Sequence, residues 1–240
     1  MQGTEPSLDT RVRLVSRFAL FFATFSVIFV FVAFSYGSAD SSIEAFQSQA
    51  QVVAGPGYRA FATLDSLVWI FGAGMTWLLS VMVEPFALMR SRLAALCGVA
   101  QLVGALGGFT RLFAVSDLAT RYVAAAPDQQ RIILGMFQTV ANNFNAMFIL
   151  GNFFTSAGFL LVGSALLGRH LFPRWLAVWT TLAGVTAGLT VLRGIVIPFA
   201  SPVFQSSFPI VLVHIFVASG LTFALAVRLW RFKAGAASPT

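Results

Sequence analysis

Five polar side chains lie inside long apolar runs of this 240-residue sequence: Asp65, Arg111, Asn152, Arg193 and His214. A charged or amide group at such a position is costly unless a partner or a cavity takes it, so each is a candidate for recognition or chemistry. At a helical rise of 1.5 Å per residue, Arg111 and Arg193 fall roughly 5 Å inside the outer membrane boundary, Asp65 roughly 6 Å, His214 roughly 9 Å and Asn152 roughly 12 Å. All five therefore occupy the outer half of the membrane. If they converge they line an outward-facing ligand pocket, with Asp65 ion-paired to Arg111 or Arg193. His214 is the one deep group able to titrate near neutral pH. Each also has an ordinary role. The arginines can snorkel to the interface, Asp65 suits the first turn of a helix, and a neutral histidine can bond to a nearby carbonyl.

Other chemistries lack their residues. The two histidines, His170 and His214, fall on opposite sides of the membrane and cannot ligate one haem. Cys97 is the single cysteine, which excludes an intrachain disulfide and a thiolate cluster. The sequence has no HExxH, no CxxC and no phosphate-binding glycine loop, and its sole lysine, Lys233, lies past the last apolar run. No catalytic residue, metal or cofactor is expected. One enzymatic alternative survives this inventory, an intramembrane hydrolase resembling the rhomboid proteases, which carry a serine on helix four and a histidine on helix six. Ser156 and His214 occupy those two segments here, but the glycine-x-serine-glycine loop is absent and Gly220 stands too far from His214 to match.

The elements that must hold these groups are six apolar segments, 14–36, 61–83, 93–113, 144–168, 175–197 and 208–227. Each reaches the length of about 20 residues that a helix needs to cross a bilayer. With 58% hydrophobic residues, 10% charged residues and a mean hydropathy of +0.85, the chain cannot expose this surface to water as a lone globule. The expected fold is a single all-α membrane domain over 1–240, a six-transmembrane-helix bundle. The run Phe18 to Phe34 is read as an uncleaved first span, because 17 apolar residues exceed the roughly 7 to 15 of a secretory signal.

Charge orients the bundle. Ten of the fifteen basic residues, including Arg11, Arg13, Arg17, Arg90, Arg92, Arg169 and Arg174, fall on one side of the six-fold alternation. The positive-inside rule makes that side, and both termini, cytoplasmic. The whole net charge of +7 sits there. Anionic lipid headgroups are the expected partner, and nucleic acid is not. Fourteen arginines against one lysine suggest a GC-rich genome, hence a bacterial inner membrane.

Loops and small residues complete the expectation. Residues 37–60 read as an outer loop with one short helix. An amphipathic helix from Pro127 carries Ile132, Ile133, Met136, Phe137, Val140, Phe144, Met147 and Phe148 on one stripe, and either continues into span four or lies on the outer surface. Gly104 with Gly108, and Gly184 with Gly188, make GxxxG spacings, which puts spans three and five at the bundle centre. Spans two with three, and four with five, are expected as antiparallel hairpins.

The stretch Gly168-Arg169-His170-Leu171-Phe172-Pro173-Arg174-Trp175-Leu176-Ala177 is followed by Leu182-Ala183-Gly184, and Arg92-Leu93-Ala94-Ala95-Leu96 opens span three. Together these resemble the signature of a large family of bacterial six-helix membrane proteins known only as a domain of unknown function. The likeness runs from about Ser66 to Val185. It implies the fold and supplies neither an activity nor site residues. The leading expectation is thus a non-enzymatic membrane protein that binds or passes a small or amphiphilic molecule. A structural or accessory subunit and the hydrolase are the alternatives.

Overall fold

The computed structural model describes residues 8–36, 42–167 and 174–196, together with position 220. The expected sixth span and His214 lie outside the described residues. The rest is helical: α1 (Leu8–Tyr36), α2 (Ile43–Ser48), α3 (Ala50–Ala54), α4 (Pro56–Val83), α5 (Leu88–Ala100), α6 (Val103–Thr110), a π-helical turn (Arg111–Val115), α7 (Ser116–Ala124), α8 (Pro127–Leu167) and α9 (Arg174–Val196). Among the described residues, five helical segments are long and apolar enough to cross a membrane: Thr10–Ala33, Pro56–Val83, Leu88–Ala124, Pro127–Leu167 and Arg174–Leu192. The chain is a multi-pass membrane protein.

The structure corrects the expected outer connections. Within 37–60 the described residues, from Ser42 on, hold two short helices, and α4 already begins at Pro56, whose missing N–H costs nothing at a first helical position. Ser42 caps α2 by accepting the Ala45 N–H at 3.1 Å. That hydroxyl and the backbone amide of Glu44 also hold the exposed Glu44 carboxyl below its ordinary pKa, the amide contributing most. Helix likewise runs through most of 114–143. The amphipathic segment is continuous with span four, giving one helix of 41 residues. A two-residue break at Ala125 and Ala126 separates it from α7. There Gln130 Nε2 donates to the Tyr122 and Ala125 carbonyls at 3.1 and 3.2 Å, joining the Ala125 N–H at the first and taking up the second.

Exposed side chains show how far these rods cross the bilayer. On the third rod they are apolar from Leu93 through Leu96, Val99, Leu106 and Phe113, then charged at Asp117 and Arg121. On α8 they are apolar at Leu150, Phe153, Leu160 and Leu167, polar at Asn142, Asn143 and Asn145, and mixed in the first turns, where Ile132 and Met136 are exposed beside Asp128 and Arg131. Twenty residues of helix span about 30 Å, the thickness of the hydrocarbon core. The part of α8 before Asn145, with α2, α3 and α7, therefore forms a cap beyond the apolar band.

Two cores follow from this division. Val12, Leu79, Met82, Phe159, Val162 and Leu176 belong to one, at the Arg11 end. Phe46, Tyr58, Phe61, Leu118, Phe137 and Phe144 belong to the other, under and within the cap. Phe46 stacks on Phe137 with ring centroids 4.1 Å apart. Among the described spans α4 is the most buried, at 56%, and it packs on α1, α5, α6 and α8. Among the described spans α4, rather than span three or five, is thus the most enclosed. The glycines of spans three and five serve closer pairings instead. A Cβ on Gly98 would lie 3.1 Å from the Ala73 carbonyl, so α5 packs backbone to backbone on α4. Gly163 meets Thr181 and Gly184 meets Leu160, which joins α8 to α9. Both expected hairpin pairs are thus in contact.

Candidate functional site

One cluster draws residues from three spans just below the cap. Helix α4 places Phe61, Asp65 and Trp69 at four-residue intervals, on one helical face. The third rod answers with Gly104, Gly108 and Arg111, and α8 with Phe144, Phe148 and Gly151. Absent side chains bring these backbones together. A Cβ on Gly108 would sit 2.8 Å from Ser66 N, one on Gly107 2.8 Å from the Phe148 ring, and one on Gly151 3.0 Å from Gly104 Cα.

In the space so formed Arg111 Nη1 donates to Asp65 Oδ2 at 2.8 Å, and the two side chains are only 15% and 7% exposed. The guanidinium carbon lies 5.5, 4.9 and 4.6 Å from the ring centroids of Phe61, Phe144 and Phe148. Trp69 stacks behind Phe148 at 5.8 Å. A planar, delocalised cation tolerates this apolar box because the ring faces attract it while the carboxylate takes a donor. Asp65 is nine residues into α4 and so is not the helix-initiating acid considered from sequence.

Of the five candidate residues, the described structure brings Asp65 and Arg111 together. Asn152 donates from Nδ2 to the Phe148 carbonyl at 2.9 Å, a bond within its own helix. Arg193 falls in α9, with its side chain outside the described residues, as is all of His214. Ser156, the nucleophile of the hydrolase alternative, is 9% exposed and donates to the Gly184 carbonyl at 2.7 Å. Its hydroxyl proton is committed to the α8–α9 contact. Among the described residues no group of three or more His, Cys, Asp or Glu could hold a metal ion. A shallow depression of about 440 Å³ at the tip of the cap is lined by Arg121, Gln129, Ile132 and neighbouring alanines. The chemistry favours the buried pair over this depression, since Arg121 there is solvent-exposed and already paired with Asp117.

Three features escaped the sequence. The π turn begins at Arg111 itself, and such turns are rare and concentrate at functional positions. Immediately after it the buried Ser116 accepts from Arg59 Nε at 2.9 Å. Lower in the membrane the buried Gln101 accepts from Thr76 Oγ1 at 3.0 Å, where the rod is interrupted between α5 and α6. Phe144 and Phe148 were visible on an apolar stripe, but a stripe does not reveal that a cation sits on it.

A family model described as a domain of unknown function (DUF4386) matches residues 22–230. No curated protein and no solved structure matches the chain.

Proposed function

The chain belongs to the DUF4386 family, and because a domain of unknown function hands down no activity, we propose a role from the geometry alone. The protein is a non-enzymatic six-helix protein of a bacterial inner membrane, with both termini cytoplasmic. It binds or passes a small or amphiphilic molecule through a polar pocket on the cap side, lined by Asp65, Arg111, Asn152, Arg193 and His214. The Asp65–Arg111 pair within its phenylalanine box carries this reading. A buried ion pair is a poor stabiliser, since apolar replacements of similar volume are often neutral or better. Charges retained at the border between apolar band and cap are better accounted for by recognition. The family match also extends to residue 230, across the apolar run 208–227, which supports a sixth helix carrying His214 into the same half. Arg11 and Arg90 at the end opposite the cap support the orientation.

Ligand binding is tested by thermal melts in neutral detergent with dodecyl phosphate and with dodecyltrimethylammonium. One of the two is expected to raise the parent's melting temperature by several degrees, and to do so by less than half as much in His214→Ala. Equal responses of parent and variant to both amphiphiles would overturn the pocket. For the orientation, single cysteines are introduced in a Cys97→Ala background and exposed to an impermeant maleimide on intact cells. Ser42→Cys and Asp128→Cys should label, and Met89→Cys, at a position 72% exposed at the other end, should not. Labelling of Met89→Cys reverses the topology.

A further inference from the structure

The contacts of the third rod with α4 follow an unusual spacing. Gly104 meets Trp69, Gly108 meets Ser66, Arg111 pairs with Asp65, and Ser116 receives Arg59. The steps are four, three and five residues. Steps of three or four keep a residue on one face of an α-helix, whereas a step of five turns it to the far side. The π turn removes that mismatch. The Ser116 N–H bonds to the Arg111 carbonyl, five residues back, and this stacks the two α4-facing residues one above the other. The turn thus absorbs one surplus residue between two side-chain tethers, Arg111 to Asp65 below and Ser116 to Arg59 above. Past the upper tether the chain enters the cap core directly, with Val115 and Ala119 fully buried and Leu118 nearly so.

We propose that the Arg111–Val115 π turn is a coupling joint that makes the seating of the cap depend on the Asp65–Arg111 pair. While both tethers hold, the surplus residue stays trapped between them. When Arg111 lets go of Asp65, the turn is free to redistribute that residue and α7 leaves its register against α3 and α8. The turn is then a bistable element of the kind that converts a local contact into a larger movement. The inference rests on the ion pair and needs no ligand, but any molecule that exchanges for Asp65 on Arg111 would be registered in the cap.

The test uses the full chain in a Cys97→Ala background, with Ala119→Cys reporting on the cap core and Leu79→Cys on the other core. Both positions are fully buried. Asp65→Asn is expected to speed maleimide labelling at position 119 at least tenfold more than it speeds labelling at position 79. Deleting Phe113, which is 69% exposed, takes the surplus residue out, leaves Arg111 and Ser116 four apart on a regular α-helix, and should abolish the acceleration by Asp65→Asn. Unchanged labelling at 119 overturns the joint. So does equal acceleration at 79, which would mean general loosening, and so does acceleration that survives the deletion.

Discussion

The protein carries an ion-paired arginine towards each end of its bundle, Arg11 buried and Arg111 partly so, and the two are held in different ways. Arg11, at the end opposite the cap, is 9% exposed, donates to Glu84 at 2.8 Å and to the Val81 carbonyl at 3.1 Å, and its carboxylate partner is 41% exposed. Arg111, below the cap, has a carboxylate partner only 7% exposed and three aromatic faces around the cation. At the first site water still solvates the anion, so the pair behaves as an anchor at an interface. At the second the carboxylate is largely withdrawn from water, and the carboxylate and the three ring faces surround the guanidinium. Similar ion-pair lengths therefore correspond to very different dependence on the partner.

Removing one carboxylate charge at each site sharpens that contrast. Asp65→Asn strands a poorly solvated guanidinium and is expected to destabilise the protein by about 3 to 5 kcal/mol. Glu84→Gln should cost about 1 kcal/mol or less, because the anion is partly hydrated and Arg11 keeps a backbone acceptor. Chemical denaturation in mixed micelles measures both, and comparable losses would erase the distinction between the two ends. A smaller effect distinguishes the tight packing below the cap from the open surface of the cap. Gly108→Ala drives a methyl against the backbone of Ser66 and should cost about 1 to 3 kcal/mol. Gly135→Ala, on the cap part of α8 with nothing within 4 Å of the new methyl, should instead stabilise by about 0.5 to 1 kcal/mol. A stable Gly108→Ala protein would mean that the third rod can move away from α4 at little cost.

The apolar rods were legible because bilayer crossing imposes both length and composition. Their continuation into the cap was not. Asp117 and Arg121, which follow the third apolar run, are the wet face of a short amphipathic helix that buries Leu118 and Ala119. The break at Gln101 and the π turn at Arg111 have no signature in residue type, since both are set by what the neighbouring helix requires. Among the candidate residues, Asp65 was legible as a charge in need of a partner, and Arg111 as one of two that could reach it. The rings around Arg111 come from helices far apart in sequence, and no spacing within one helix encodes them. Asn152 illustrates the opposite case, an amide that looked free in the sequence and bonds to its own helix.

Helix α8 runs 41 residues without interruption from the tip of the cap to the far end of the bundle, whereas the rod beside it is jointed in two places. A stiff rod next to a jointed one works as a lever against a hinge. A thinner or thicker bilayer changes the tilt of the apolar half of α8. Since the cap half belongs to the same rigid body, it swings through the same angle, and the length beyond the membrane, about 30 Å at 1.5 Å per residue, enlarges that angle into displacement at the tip. The jointed rod must absorb the difference in path. A change of tilt imposed on α8 would therefore have to be accommodated at the two interruptions of its neighbour, at Gln101 and at the turn that begins with Arg111.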